Sequence, residues 1–192
     1  IVRRPQEVAD DRQEVVMFLH DFAFRTSAEV LAEVTGGSAM DHAAMDHSAP
    51  MGGMPGMGNM GGMGAMSQMM MGDMAMDLND FDFDAYLAND RTLDDPEVIA
   101  VERGGRVRLR VINGASMTAF WIDTGAASAR LVAVDGEPVI PLPGSRFSAA
   151  PDQRLDIELD LPADGTALPV LALREGARVR TGIILAPRGA EV

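Results

Sequence analysis

The residues of this chain best suited to chemistry are sulfur and imidazole donors crowded into one window. Thirteen of the 15 methionines lie between Met40 and Met76. Met51, Met54, Met57, Met60, Met63, Met66 and Met69 recur at every third residue, and Met70, Met71, Met74 and Met76 follow. Upstream, the triplet Met-Asp-His occurs twice, as Met40-Asp41-His42 and Met45-Asp46-His47. Thioether sulfur is a soft, neutral donor that prefers Cu(I), while imidazole accepts Cu(I) and Cu(II). A flexible chain with spaced sulfurs can wrap a low-coordinate cuprous ion, and period three stacks them on one side of a polyproline-II conformation. These methionines, with His42 and His47, are the candidate metal ligands. A glycine–methionine linker without a ligand is the alternative. Collagen-like winding is excluded because glycine does not fall at every third position. A helix is disfavoured because each interior glycine costs about 1 kcal/mol relative to alanine.

Elsewhere the composition closes routes. There is no cysteine, which excludes disulfides, thiolate nucleophiles, iron–sulfur clusters and cysteine-ligated copper or zinc. A net charge of −13 would repel a phosphate backbone, so no nucleic-acid partner is expected. The apolar runs are too short to span a bilayer. No basic segment leads into an apolar run as in a signal peptide. The chain starts at Ile1 without an initiator methionine, so it is expected to be a piece of a longer polypeptide.

Three groups could suggest catalysis and are read as structural. His20 adjoins Asp21 at the end of an apolar strand, with no third orienting group nearby. Asp135 and Glu137 flank Gly136, where Asp135 is expected to bond its own turn. Asp156, Glu158 and Asp160 share one strand face, expected to be solvated and to oppose an arginine-bearing strand. Phe120 and Trp121 are adjacent in a strand, so one is core and the other faces outward. No catalytic residue is assigned.

The elements that must position any site are strands. Val107, Leu109 and Val111 alternate with Arg106, Arg108 and Arg110. Leu155, Ile157, Leu159 and Leu161 alternate with acids. This period of two predicts antiparallel strands with one wet face. Further strands are expected at 14–24, 81–88, 98–102, 119–123, 129–134, 169–174 and 179–186. Turn formers separate them, among them Asn113-Gly114, Asp135-Gly136 and Asp164-Gly165. A short helix of one or two turns is expected over Thr26 to Val34, capped by Ser27. Roughly residues 36–77 hold none of Val, Ile, Thr, Phe, Tyr or Trp and are dense in glycine, so they are expected to form a flexible insert. Many short strands with almost no helix predict an all-β sandwich or barrel.

The strand region also resembles a known family. Tyr86-Leu87-Ala88-Asn89, then Val107 to Asn113 (VRLRVIN), Asp135 to Pro141 (DGEPVIP) and Gln153 to Asp156 (QRLD) occur in the order and spacing of the second domain of multicopper oxidases. The likeness is greatest to their periplasmic copper-resistance branch. Val15 to Phe22 is similar to that domain's opening strand, which ends in an aspartate, here Asp21. The resemblance covers most of the chain outside the insert. It implies residues 1–192 as one cupredoxin-like Greek-key β-sandwich carrying the methionine-rich insert.

The same resemblance implies a function. The chain has no His-x-His pair and no His-Cys-His segment, which in three-domain members belong to the first and third domains. A copper-free middle domain is therefore implied, its partners being flanking cupredoxin domains of one polypeptide and copper ions. The parent would oxidise Cu(I) or phenolic-type substrates while reducing dioxygen to water, outside the cytoplasm, with the methionine segment binding or delivering copper. Self-association of the isolated domain is expected, because it bares surfaces its neighbours cover. Two other readings stand beside this one: a module that sequesters cuprous ions, and a copper-free cupredoxin relative used for assembly.

Overall fold

The structure is a computed structural model, and it describes residues 10–37 and 81–192. The chain divides into two compact units, residues 1–24 with 83–192, and residues 25–82. The first unit is a sandwich of two sheets. Its strands are β1 (Gln13–Phe22), β2 (Ala85–Ala88), β3 (Glu97–Val101), β4 (Arg106–Asn113), β5 (Phe120–Asp123), β6 (Ser128–Val134), β7 (Glu137–Pro143), β8 (Arg146–Ala149), β9 (Arg154–Asp160), β10 (Leu168–Arg174) and β11 (Arg180–Pro187). One sheet has the order β2-β1-β4-β9-β6-β7, and the other β3-β11-β10-β5-β8. Many neighbours are far apart in sequence, so the chain crosses repeatedly between the sheets, as a Greek key requires. The all-β sandwich expected from the strand pattern is what forms.

Apolar alternation builds the core. Val107, Leu109 and Val111 of β4 meet Leu155, Ile157 and Leu159 of β9, and all six are buried. Val15, Met17 and Leu19 of β1 join them, and Phe120, Ile122, Val170, Ile183 and Leu185 close over them from the second sheet. Phe120 packs edge-on to Tyr86 with centroids 6.1 Å apart. Its neighbour Trp121 points the other way and is 40% exposed, as strand alternation demands.

Several expectations need correction. The sheets are mixed: β1 pairs in parallel with β4, and β3 with β11. Crossovers permit this, and alternation alone cannot distinguish the two pairings. Strand 81–88 is cut to Ala85–Ala88; Asp84 instead accepts a hydrogen bond from the Phe24 amide at 2.9 Å. β7 and β8 were not expected. β7 carries Pro138, Pro141 and Pro143 and is exposed throughout, so it sits at a sheet edge, where missing amide donors cost least.

In the second unit, α1 (Ser27–Gly37) is longer than expected and is capped by Thr26 rather than Ser27. The Thr26 amide and hydroxyl both donate to the Glu29 carboxylate at 2.8 Å, and the Glu29 amide reaches back to Thr26 Oγ1 at 3.4 Å. This is a capping box. The Thr26 amide bond is the main cause holding the Glu29 carboxyl below its ordinary range. Arg25 pairs with Glu33 and lies 4.4 Å from the centroid of the Phe81 ring.

Candidate functional site

The candidate ligands Met40, His42, Met45, His47, Met51, Met54, Met57, Met60, Met63, Met66, Met69, Met70, Met71, Met74 and Met76 all lie outside the described residues. Among the described residues, no group of three or more His, Cys, Asp or Glu is arranged to hold a metal ion. Likewise among them, no helix is long and apolar enough to cross a membrane.

What the sandwich does show is how its signature residues lock two sheets together. Asn89 has a left-handed φ of 51°, which asparagine tolerates better than most residues. Its amide donates to the Phe18 carbonyl at 2.8 Å, and its Oδ1 accepts from the Phe18 amide at 2.7 Å. Its Nδ2 donates to the Val16 carbonyl at 2.9 Å. The side chain thus continues the β2 ladder beyond the strand's end.

Asn113, at the end of β4, is fully buried. Its Nδ2 donates to the carbonyls of Thr118 at 2.9 Å and Ala149 at 3.0 Å, and its Oδ1 accepts from the Ala115 amide at 3.1 Å. Because β4 and β8 belong to different sheets, this one carboxamide ties them. Next to it, a Cβ on Gly114 would lie 2.6 Å from the Phe18 ring. A side chain there would have to displace the end of the Phe18 ring.

Asp21 closes the same corner. Its carboxylate accepts from the Ser116 amide at 3.0 Å, Ser116 Oγ at 2.9 Å and Thr118 Oγ1 at 3.0 Å. The loop it gathers leads from β4 of one sheet to β5 of the other. Asp21 therefore serves this crossover and does not pair with His20, whose Nε2 instead lies 3.0 Å from Asp90 Oδ1. Asp135 also departs from expectation: it accepts from the Arg154 amide on β9 at 2.9 Å, tying its hairpin to the next strand.

The face expected to be wet is instead a lattice of ion pairs. Arg108 bonds Glu158 at 2.9 Å and Asp10 at 3.1 Å. Arg110 bonds Asp156 at 2.8 Å and Glu14 at 2.6 Å. Arg12 and Arg130 reach Glu158 from either side, at 3.3 and 2.8 Å. Long side chains lying flat cover one another, leaving Glu158 only 10% exposed. Burial pushes the Asp10 carboxyl up, but hydrogen bonds and charge from Arg12, with charge from Arg108, pull it below its ordinary 3.8. The β9 acids do oppose the β4 arginines, as the alternation predicted; the contacts of Asp10, Arg12 and Glu14 were not visible in the sequence, because β1 joins β4 through parallel pairing. The geometry is structural: every carboxylate of the lattice is engaged by arginine.

No family model matches the chain. It is 33% identical over 100 residues to the multicopper oxidase MmcO of Mycobacterium tuberculosis, an alignment spanning 52% of this chain and 19% of that protein. Among solved structures, it resembles Fet3p, a multicopper oxidase that functions in iron import, with a TM-score of 0.65 at 10% identity over 100% of this chain and 31% of the other. It also resembles the blue copper oxidase of Nitrosomonas europaea (TM-score 0.55, 16% identity, 97% of this chain, 46% of that one). A third is the laccase of Botrytis aclada (TM-score 0.57, 17% identity, 94% and 30%). At such identities the structural likeness speaks for the fold. The chain spans less than half the length of each of these relatives.

Proposed function

We propose that this chain, whose sandwich is a cupredoxin-like domain of the multicopper oxidase type, is the copper-free middle domain of such an oxidase and that its methionine-rich segment binds and delivers cuprous ions. The observation that carries the reading is the density of soft donors beside a sandwich of this type: seven sulfurs at period three and two Met-Asp-His triplets, with no cysteine anywhere in the chain. A blue copper centre needs a thiolate, so the residues present do not fit one. They do fit Cu(I) as cargo. Thioethers stay neutral and unprotonated at every ordinary pH, so they compete for a soft cation without releasing protons.

In this reading the sandwich contributes shape. Asn89, Asn113 and Asp21 fix its strand ends and a crossover, and domains bearing histidine and cysteine ligands flank it. The parent takes an electron from each Cu(I), or from a phenolic-type substrate, and passes electrons with protons to dioxygen, giving water. Converting Cu(I) to Cu(II) outside the cytoplasm would serve copper tolerance, and the proposed location is periplasmic or otherwise extracytoplasmic.

Optical titration of the 192-residue chain with Cu(II) tests the domain assignment. A colourless solution across the blue-copper region, with no oxidase turnover, is expected. An intense blue band would overturn the assignment. The parent reading frame is expected to encode His-x-His pairs before this segment and a His-Cys-His segment after it.

A further inference from the structure

We infer that the prolines of β7 close the free edge of the six-stranded sheet against strand addition, and that without them two copies of this chain would join edge to edge. This goes beyond the proposed function, since it concerns any sandwich that ends in a long strand.

The two sheets end in β2 and β7, and in β3 and β8. An edge strand presents unpaired amides and carbonyls on which another chain can build. β2 and β8 are four residues long and β3 is five, and such short edges offer little ladder. The Ala100 carbonyl of β3 also accepts a hydrogen bond from Gln13 Nε2 at 2.9 Å. β7 is different. It runs for seven residues and is exposed throughout, with Ile140 92% and Leu142 58% exposed. Long, apolar and open, it has the makings of an aggregating strand.

Register shows which way each β7 backbone nitrogen points. Asp135 and Gly136 have φ of 50° and 84°, the two positive values of a type I′ hairpin turn, and Val134 pairs with Glu137 across it. In such a turn the residue after it donates back to the residue before it. The Glu137 amide therefore faces β6, and the nitrogen of position 138 faces away. At the other end the Gly144 amide donates to the Ala129 carbonyl at 3.1 Å. By the same alternation position 142 also faces β6, while 143 and 141 face the free edge. The outward positions are thus Pro138, Pro141 and Pro143. Between them the ladder is irregular: Val139, Ile140 and Pro141 oppose only Val132. A bulge of this kind twists an edge away from an arriving strand.

Tolerance alone explains why no proline faces β6, where a missing donor would break the ladder. It leaves unexplained why each outward position fixed by the turn and by Gly144 carries one. With no N–H at any of them, an arriving strand meets carbonyls without the donors that should alternate with them. Ile140 and Leu142 then stay at the surface without becoming a seam.

Sedimentation velocity over a concentration series tests this on the 192-residue chain and on a variant carrying Pro138→Val, Pro141→Val and Pro143→Val. The variant regains its outward donors and should self-associate with a dissociation constant at least about tenfold below that of the wild type. Hydrogen exchange at the new valine amides should slow as its concentration rises. Adding Ile140→Lys, which sets like charges against each other at the seam, should return it to wild-type behaviour. Should the triple variant not fold, Pro143→Val alone carries the same test, with an expected shift of about threefold. Equal association by wild type and a folded variant would overturn the guard. Stronger association that ignores Ile140→Lys, with the valine amides exchanging freely, would place the contact elsewhere and overturn it as well.

Discussion

Arg108 and Glu158 face each other as direct register partners on β4 and β9, joined at 2.9 Å with side chains 12% and 10% exposed. Glu158 also serves Arg12 and Arg130. Truncating it strands several guanidinium charges in poorly hydrated positions, which is costlier than losing the pair itself. Glu158→Ala should therefore destabilise the domain by about 3 kcal/mol, read from urea denaturation. The double variant Arg108→Leu with Glu158→Leu should lose clearly less. Additive losses would show that the lattice is no more than a surface decoration.

Acid should loosen the same lattice. The folded-state pKa of Asp10 is depressed, so its contribution is fully present above the unfolded value of 3.8 and is lost as pH falls through the folded value. Between pH 7 and 3 the wild type should lose more stability than Asp10→Asn. Parallel pH profiles would contradict this.

Asn113, at the end of β4, bonds three backbone groups, the carbonyls of Thr118 and Ala149 and the amide of Ala115. Asn113→Ala leaves buried carbonyls and an amide without partners, and should cost about 3 kcal/mol. Asn113→Asp should be comparably damaging, because the lost amide donors become repulsive lone pairs. A thermal melt within a degree or so of wild type for either variant would show that this tie between the sheets is dispensable.

Gly182 is paired with Leu171 within β11, where an alanine methyl would lie 2.4 Å from the Val170 carbonyl oxygen, a backbone atom that cannot swing aside. Gly182→Ala should cost about 3 kcal/mol through forced strand separation. A neutral outcome would mean that the two strands part without loss.

How much of this could be read from the sequence depended on whether the cause was local. The faces of β4 and β9 were legible because alternation is a local pattern. The helix cap was legible too but was assigned to Ser27, although Glu29 stands three residues after Thr26, the spacing of a capping box. β7 escaped because three prolines masked an edge strand. The parallel pairing of β1 with β4, and hence the meeting of Glu14 with Arg110, came from chain topology that no short window records. The signature asparagines announced a resemblance, while their work as ladder extension and inter-sheet tie emerged only with the fold. The candidate methionine ligands lie outside the described residues, so the copper proposal rests on donor type and spacing.

The central claim, that this chain meets copper through sulfur and not through its sandwich, is tested most directly by competition for Cu(I) against a chromophoric cuprous chelator. The chain should withdraw Cu(I) from the chelator, and a variant with Met51, Met54, Met57, Met60, Met63, Met66 and Met69 changed to serine should withdraw far less while keeping the wild-type melting temperature. Equal withdrawal by both proteins would contradict the account.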